Sequence, residues 1–223
     1  MHVFLFDIDG TLIRSGGAGQ ASLREAMRTE FGVDDPEDVP VHGFTDRVIA
    51  SSLFERHGFE DSFENWQRLI NSYLRLLPKL LAEKDGEVLP GVTSVLESLS
   101  ARDDVAVGLL TGNVPRGAQI KLEHFGLYHH FTFGGYGEDH HNRNDVATAA
   151  LAAAKDHLNG QVSLDRTFVI GDTPNDIRCA HHIGAKAIGV CTGIFSADDL
   201  KKENPNALLD DMSDSQDILT FVD

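Results

Sequence analysis

The stretch VFLFDIDGTL, residues 3–12, decides the fold. A short apolar run is typical of a strand buried in a parallel sheet, and the acidic turn after it marks the carboxyl end of that strand. In open α/β sheets the chemistry lies at these ends. There Asp7 can attack phosphorus, and Asp9 can protonate the leaving oxygen and then activate water. Asp and Gly are also ordinary turn residues, and the stretch taken alone favours a turn.

Similar apolar runs recur along the chain and alternate with helical patterns. The runs at 105–110, 167–170 and 187–190 each lead into a turn that contains glycine, and residues 131–133 are a further candidate strand. Apolar residues at spacings of three and four fill the intervals between the runs. This alternation predicts an α/β fold with a three-layer, Rossmann-like core, in which helices cover both faces of a parallel sheet.

Residues 15–87 break this alternation, because they carry three helical patterns and no clear strand. The longest pattern places apolar residues on one helix face from residue 63 to residue 77. Thr45 is the expected N-cap of the second pattern. We therefore expect residues 1–14 and 88–223 to form the catalytic core and residues 15–87 to form an all-helical cap inserted after the first strand.

A second strand end offers groups that could hold phosphate. Thr111, Gly112 and Asn113 follow the run at 105–110. A hydroxyl and exposed backbone N–H groups in this position can bind phosphate oxygens, although an ordinary turn explains the same residues equally well.

A third strand end carries Asp172 and Asp176. Their oxygens suit Mg²⁺, whereas the alternative is a helix start with acidic residues in its first turn. We favour the metal, because these carboxylates would converge on Asp7 and Asp9. Four neighbouring carboxylates repel one another unless a cation compensates them.

Two arginines are candidates for contacts to the substrate. Arg143 precedes an alanine-rich helix that we expect to begin near Asp145. A cation there would screen the nucleophile from phosphate and spread the charge of the transition state, but its position alone favours a surface arginine. Arg47, at the start of the second cap pattern, is the other candidate, and surface charge explains it equally well.

Together these segments resemble the motifs of the haloacid dehalogenase-like (HAD) hydrolase superfamily. Residues 7–12 resemble its first motif, Thr111 matches the second, and residues 171–176 resemble the fourth. The resemblance implies that Asp7 is the nucleophile, Asp9 the general acid and base, and Thr111 a phosphate contact. It also implies that the helical insert is the mobile cap of the subgroup that includes phosphoglycolate phosphatases and β-phosphoglucomutases.

The same resemblance implies a metal site and exposes one departure. It implies Mg²⁺ held by the Asp7 carboxylate, the Asp9 backbone carbonyl and Asp172, with Asp176 supporting through water. The third motif usually presents lysine, and Arg143 stands in its place. Arginine keeps the charge but is not equivalent to lysine. Lys121, on the helix expected after Thr111, is the second choice for this charge.

The amino-acid composition limits which binding partners and which cellular compartment we expect. With 19 basic and 35 acidic residues the 223-residue chain has a formal net charge of −16, and such a surface repels nucleic acid and anionic membranes. Its two cysteines give no disulfide framework. The apolar run at 3–6 is too short for a signal peptide, and no run approaches the ~20 apolar residues of a membrane span. We expect a cytoplasmic monomer or homodimer.

The expected function is Mg²⁺-dependent hydrolysis of a small phosphorylated metabolite through an aspartyl-phosphate. Two alternatives stay open. A sugar-phosphate mutase would use the same Asp7 and Asp9 and would differ in whether its cap excludes water. A non-catalytic binding protein could retain the fold. The sequence does not identify the substrate.

Overall fold

In the computed structural model the chain is described over residues 1–222, except for the side chains of residues 215 and 217. The strands are β1 (His2–Phe6), β2 (Ile13–Arg14), β3 (Glu87–Val88), β4 (Val105–Leu110), β5 (Gly134–Gly135), β6 (Thr167–Gly171), β7 (Lys186–Val190) and β8 (Ala207–Leu209). The helices are α1 (Ala18–Phe31), α2 (Asp46–His57), α3 (Phe63–Glu83), α4 (Val92–Ser100), α5 (Pro115–His124), α6 (Arg143–His157), α7 (Pro174–His182), α8 (Ala197–Lys201) and α9 (Ser215–Leu219).

A parallel sheet forms the centre of the molecule, with the strand order β5-β4-β1-β6-β7-β8 within the described residues. Strand β1 lies between β4 and β6, so that Phe6 pairs with Leu109 on one side and with Ile170 on the other. The predicted α/β fold is confirmed. Because the three strands end together, the residues that follow them meet at one edge of the sheet.

Alternate residues of β1 supply the two faces of the core. Phe4 and Phe6 lie in one hydrophobic cluster, whereas Val3 and Leu5 lie in the other, and all four are fully buried. Successive side chains of a strand point to opposite faces, and this sheet is covered on both. The continuous apolar run is therefore what places the following aspartate at a rigid, buried strand end.

Helices α1, α2 and α3 pack around a third hydrophobic cluster, which also includes Val114 from the loop before α5. Its largest buried members are Met27, Phe54, Trp66, Tyr73 and Leu77. The predicted N-cap of α2 is present, because the Thr45 hydroxyl accepts a hydrogen bond from the Val48 N–H at 3.2 Å. The three helical patterns of the sequence thus correspond to three helices.

Some short elements differ from the prediction. The candidate strand at 131–133 is wrong in position, since β5 forms at Gly134–Gly135. Glycine allows this strand to approach α6, because a Cβ at Gly135 would collide with backbone atoms of that helix. Strands β2 and β3 pair antiparallel where the helical segment leaves and rejoins the sheet. Each has only two residues, which is too short to give a recognisable sequence pattern. Among the helices of residues 1–222, none has the length and apolar character needed to cross a bilayer.

Candidate active site

The ends of β1, β4 and β6 bring the predicted acidic and hydroxyl side chains to one edge of the sheet. Asp7 directly follows β1, and its N–H donates to the Ile170 carbonyl at 3.0 Å, so the sheet ladder fixes its position. Thr111 follows β4 and Asp172 follows β6. All three side chains are almost completely buried.

Three carboxylates form a compact cluster at this edge. Asp7, Asp172 and Asp176 each offer an oxygen, and these oxygens lie within 4.8 Å of one another. Burial raises the pKa of Asp7 to about 6, although Arg143 acts in the opposite direction. Burial and the charges of Asp176 and Asp7 raise the pKa of Asp172 well above its usual value. The cluster is therefore short of positive charge.

One carboxylate oxygen of this cluster lacks a partner. Asp172 Oδ1 accepts from the Thr11 hydroxyl at 2.9 Å, whereas Asp172 Oδ2 is buried without a hydrogen bond. Gly10 has a φ of +87°, and a Cβ there would lie 2.9 Å from Oδ1, so a side chain at this turn would press on the carboxylate. A buried, unpaired carboxylate oxygen beside two other carboxylates fits a hard cation with oxygen ligands.

Arg143 supplies the buried positive charge of the cluster. Its Nη2 atom lies 2.8 Å from Asp7 Oδ1 and 2.6 Å from Asp176 Oδ1. The residue is the first of α6, which begins after the N-cap Asn142. Burial acts to lower the pKa of Arg143, but the two aspartates raise it above its ordinary value, so the guanidinium stays charged. The interpretation of Arg143 as a surface residue is wrong, since 8% of it is exposed.

Asp176 has a structural task as well as this ion pair. Its Oδ2 accepts from the Thr173 N–H at 3.0 Å and from the Thr173 hydroxyl at 2.7 Å, which completes a capping box at the start of α7. Its Oδ1 accepts from Arg143. The cap and the charge cluster are thus compatible, and both oxygens of Asp176 are engaged.

Lys121 holds the second aspartate of the first motif. Its Nζ lies 2.5 Å from Asp9 Oδ2 and 2.7 Å from Asn113 Oδ1. Burial acts to raise the pKa of Asp9, but the Lys121 ammonium and the hydrogen bonds bring it below its usual value. From the sequence, Lys121 was only the second choice after Arg143 for the charge of the third motif. The available signal was a lysine on the buried face of α5, next to Ala118 and Leu122.

Thr111 is fully buried, and its neighbours Gly112 and Asn113 line the cavity. The Thr111 oxygen accepts from the N–H and from the side-chain amide of Asn113, at 3.3 and 2.9 Å. Asn113 also donates to Asp9 Oδ2 at 2.9 Å. Gly112 allows close approach of the loop before α2, because a Cβ at Gly112 would collide with the Phe44 carbonyl.

A cavity of about 370 Å³ opens above these side chains, between the sheet edge and the helical segment. Its wall includes Asp7, Asp9, Gly112, Asn113 and Arg143 of the predicted site. The structure does not bring Arg47 into this wall. The Arg47 guanidinium pairs instead with Asp61 at 2.7 Å and lies 5.3 Å from the centre of the Trp66 ring.

The fold and the site define a class of protein. A parallel α/β sheet presents an aspartate at its central strand end, a second aspartate two residues later, and a buried acidic cluster beside a paired cation. A carboxylate in this position can act as a nucleophile, and its neighbour can transfer protons. Together these features define an α/β protein with an enclosed acidic site suited to catalysis.

Comparison with known proteins identifies the family. The sequence profile of the haloacid dehalogenase-like hydrolases matches residues 4–190, and the chain belongs to this family. A phosphoglycolate phosphatase of Chromobacterium violaceum is 28% identical over 200 residues, which cover 87% of each protein. A 5′-nucleotidase of Pseudomonas aeruginosa is 23% identical over 216 residues, which cover 96% of this chain and 94% of the relative.

Solved structures share the fold. A hydrolase from Pseudomonas syringae superimposes with a TM-score of 0.73 at 22% identity, covering 99% of this chain and 98% of the other. CbbY from Rhodobacter sphaeroides, solved in complex with phosphate, gives 0.76 at 18% identity and covers 96% of both chains. The expected HAD-like α/β fold is confirmed over nearly the whole length.

Proposed function

We propose that the protein is a magnesium-dependent phosphatase that releases phosphate from a small phosphorylated metabolite in the manner of the phosphoglycolate phosphatases. The observation that carries this proposal is the position of Asp7: it lies at the end of the central strand, 2.8 Å from Arg143 and beside Asp172. Membership of the hydrolase family and relatives named phosphoglycolate phosphatase and 5′-nucleotidase support it.

The proposed reaction has two steps. An Asp7 oxygen attacks phosphorus, the bond from phosphorus to the ester oxygen breaks, and Asp9 gives its proton to the departing oxygen. Water then attacks the aspartyl-phosphate, Asp9 takes a proton from this water, and inorganic phosphate leaves with Asp7 regenerated. The ion pair with Lys121 keeps Asp9 ionised, which suits its task as a base in the second step; to act as an acid in the first step, Asp9 must take up a proton from solvent.

The remaining groups would hold and screen the phosphoryl group. Thr111, Gly112 and Asn113 would contact its oxygens, and Arg143 would spread the charge that develops in the transition state. When bound, Mg²⁺ would supply further charge neutralisation for the phosphoryl oxygens. Asp7, Asp172 and the Asp9 backbone carbonyl are its proposed ligands.

Residues 15–87 are the proposed cap, and residues 1–14 and 88–223 the proposed catalytic core. The separate hydrophobic cluster of α1, α2 and α3 supports this division. A cap that covers the site would exclude water during the first step. The cytoplasm is the proposed location.

Phosphate release from p-nitrophenyl phosphate tests the mechanism. We expect activity that requires Mg²⁺ and is abolished in Asp7→Asn, because the amide cannot attack phosphorus. Asp34→Asn, a change of the same kind at an exposed position, serves as the control and should keep full rate. Activity without any divalent ion, or full rate in Asp7→Asn, would show that the mechanism is wrong. Incubation with hexose phosphates separates the mutase, which would yield an isomer in place of free phosphate.

A further inference from the structure

The cavity has one wall that the phosphoryl chemistry does not use. Besides the site residues at the sheet edge, the lining contains seven large apolar side chains, together with polar residues that include Gln20, His42 and Asp46. The apolar members of this wall are Ile13, Leu23, Val41, Phe44, Ile49, Tyr73 and Ile194. We call these seven residues the apolar wall. Small-molecule sites of this kind take up ~300–1,000 Å³ and combine an apolar lining with few polar groups; the volume of about 370 Å³ falls in that range.

Two members of the apolar wall are unusually exposed. Phe44 is 41% exposed and Ile194 is 65% exposed, and both stand among the few large apolar side chains that face solvent in the described part of the chain. They come from different elements, since Phe44 precedes α2 and Ile194 follows β7. Both line the cavity, so they offer apolar surface that a bound ligand could cover.

The permanent cations around the cavity are already paired with carboxylates of the protein. Arg14 pairs with Glu87, Lys121 with Asp9, and Arg143 with Asp7. Arg143 faces the phosphoryl position, and Lys121 lies beneath Asp9. Among the described residues that line the cavity, no lysine or arginine therefore remains for a second anionic group of the substrate.

A buried carboxylate of the protein makes the cavity still less favourable for a second anionic group. Asp46 lies in the cavity lining at the start of α2 and is buried. A carboxylate on the substrate would have to leave water, approach Asp46 and compete with protein carboxylates for the lysine and arginines of the lining, and each of these carries a free-energy cost. An uncharged group with an apolar surface would meet none of these costs and would displace water from the apolar wall.

From these contacts we propose that the substrate is a phosphate monoester of an uncharged alcohol with an apolar or aromatic body. The inference rests on the proposed phosphatase function and specifies its leaving group. The body lies against the apolar wall, and the ester oxygen lies beside Asp9. A two-carbon acid such as glycolate would leave most of this wall in contact with water.

A comparison of substrates tests the proposal. We expect kcat/KM for phenyl phosphate and for nucleoside 5′-monophosphates to exceed that for phosphoglycolate by about 10-fold or more, the discrimination that a hydrophobic pocket provides. A value for phosphoglycolate equal to or above that of the uncharged esters would overturn the proposal and leave the phosphatase function intact. If the Mg²⁺-loaded enzyme hydrolyses none of them, the phosphatase function itself fails.

A pair of phenylalanine variants locates the contact. Phe44→Ala removes an exposed member of the apolar wall, and we expect it to raise KM for phenyl phosphate several-fold with little change in kcat. Phe63→Ala is the matched control, because Phe63 is 77% exposed and lies outside the cavity lining. Equal kinetics for the two variants would contradict the assignment of the apolar wall.

A gain of function gives an independent test. Val41→Arg places an unpaired cation on the half-buried part of the apolar wall. We expect it to raise kcat/KM for phosphoglycolate and to lower that for phenyl phosphate, which inverts the preference. An unchanged ratio of the two kcat/KM values would contradict a leaving-group site at Val41.

Discussion

Arg143 and Lys121 each hold one aspartate of the first strand end. Arg143 reaches both Asp7 and Asp176 through a single nitrogen, Nη2, and its Nε atom is buried without a hydrogen bond. Lys121 binds Asp9 from the other side. The two aspartates thus have different surroundings: Asp7 shares Arg143 with Asp176, whereas Lys121 and Asn113 hold Asp9 as a carboxylate.

The use of one nitrogen of Arg143 predicts how far lysine can replace it. Because a lysine Nζ is also a single nitrogen, Arg143→Lys should keep activity on p-nitrophenyl phosphate within about 10-fold. Arg143→Met should lower kcat about 10²–10³-fold, the usual effect of removing one donor to a developing charge. It should also destabilise the fold by about 3–5 kcal/mol in urea, because two carboxylates lose their buried partner.

The comparison of Arg143→Lys and Arg143→Met with the wild type checks this directly. If Arg143→Lys is as slow as Arg143→Met, the planar fork of arginine is itself required. Circular dichroism of all three proteins shows whether the fold is retained.

Single residues also mark the limit of what the sequence could predict at the site. Asp7, Asp9 and Asp172 follow apolar strands, and the strand ends of a parallel sheet converge. The apolar pattern was therefore enough to predict that these residues lie close together. Lys121 belongs to a helix, where its contact with Asp9 depends on how α5 lies against the sheet. Arg47 does not line the cavity, because it pairs with Asp61 of the same helical segment, and the sequence pattern gave no sign of this pair.

Among the elements, the loop before α2 connects the helical segment to the sheet edge. The Asp46 N–H donates to the Gly112 carbonyl at 2.7 Å, and Asp46 Oδ2 accepts from the Val114 N–H at 2.8 Å. The Thr45 hydroxyl donates to the His140 carbonyl at 2.7 Å. Three hydrogen bonds across this contact place α2 over the cavity.

Because Asp46 is buried in this contact, the stability of the folded protein depends on pH. Burial raises the pKa of Asp46 to about 6, from a usual value of 3.8. The folded state therefore binds its proton more tightly than the unfolded state, and the contribution of Asp46 to stability falls as the pH rises from 4 to 6 and stays low above it. Asp46→Asn keeps the acceptor for Val114 and carries no charge at any pH.

We therefore expect Asp46→Asn to match the wild type at pH 4 and to exceed it in unfolding free energy at pH 7 by up to about 3 kcal/mol, since each pKa unit corresponds to ~1.36 kcal/mol. Urea denaturation at the two pH values measures this. Asp34→Asn, at an exposed site, should show a difference that does not change with pH. If Asp46→Asn is destabilised equally at pH 4 and pH 7, the Asp46 carboxylate is not buried in solution.

Element length decided which elements the sequence could predict. Helices α1 and α3 repeat their apolar spacing over several turns, and the buried strands carry continuous apolar runs. Strand β5 consists of two glycines, which carry no apolar pattern, and it forms by pairing with β4. The strand was therefore predicted at the nearby apolar residues 131–133 instead. Strand β8 and helices α8 and α9, with three to five residues each, offered no period to detect.

Over the whole molecule, negative charge accumulates both on the surface and in the interior. The formal net charge is −16, and three carboxylates share the edge of the sheet with one guanidinium. Such self-repulsion destabilises the compact state. A divalent cation bound at this edge would therefore act on folding as well as on catalysis, since a ligand that binds the folded state alone stabilises it.

This coupling predicts a specific response of the melting temperature to Mg²⁺. At 100 times its dissociation constant a ligand contributes about 2.7 kcal/mol, which for a protein of this size corresponds to about 5–10 °C. Asp172→Asn should melt higher than the wild type without Mg²⁺, because it removes a buried carboxylate whose Oδ2 has no partner, and should respond little to the ion. Sodium chloride at matched ionic strength separates general screening from binding. If the salt raises the melting temperature of the wild type as much as Mg²⁺ does, or if Asp172→Asn keeps the full Mg²⁺ response, then Asp172 does not hold a cation and the acidic cluster must be balanced by Arg143 alone.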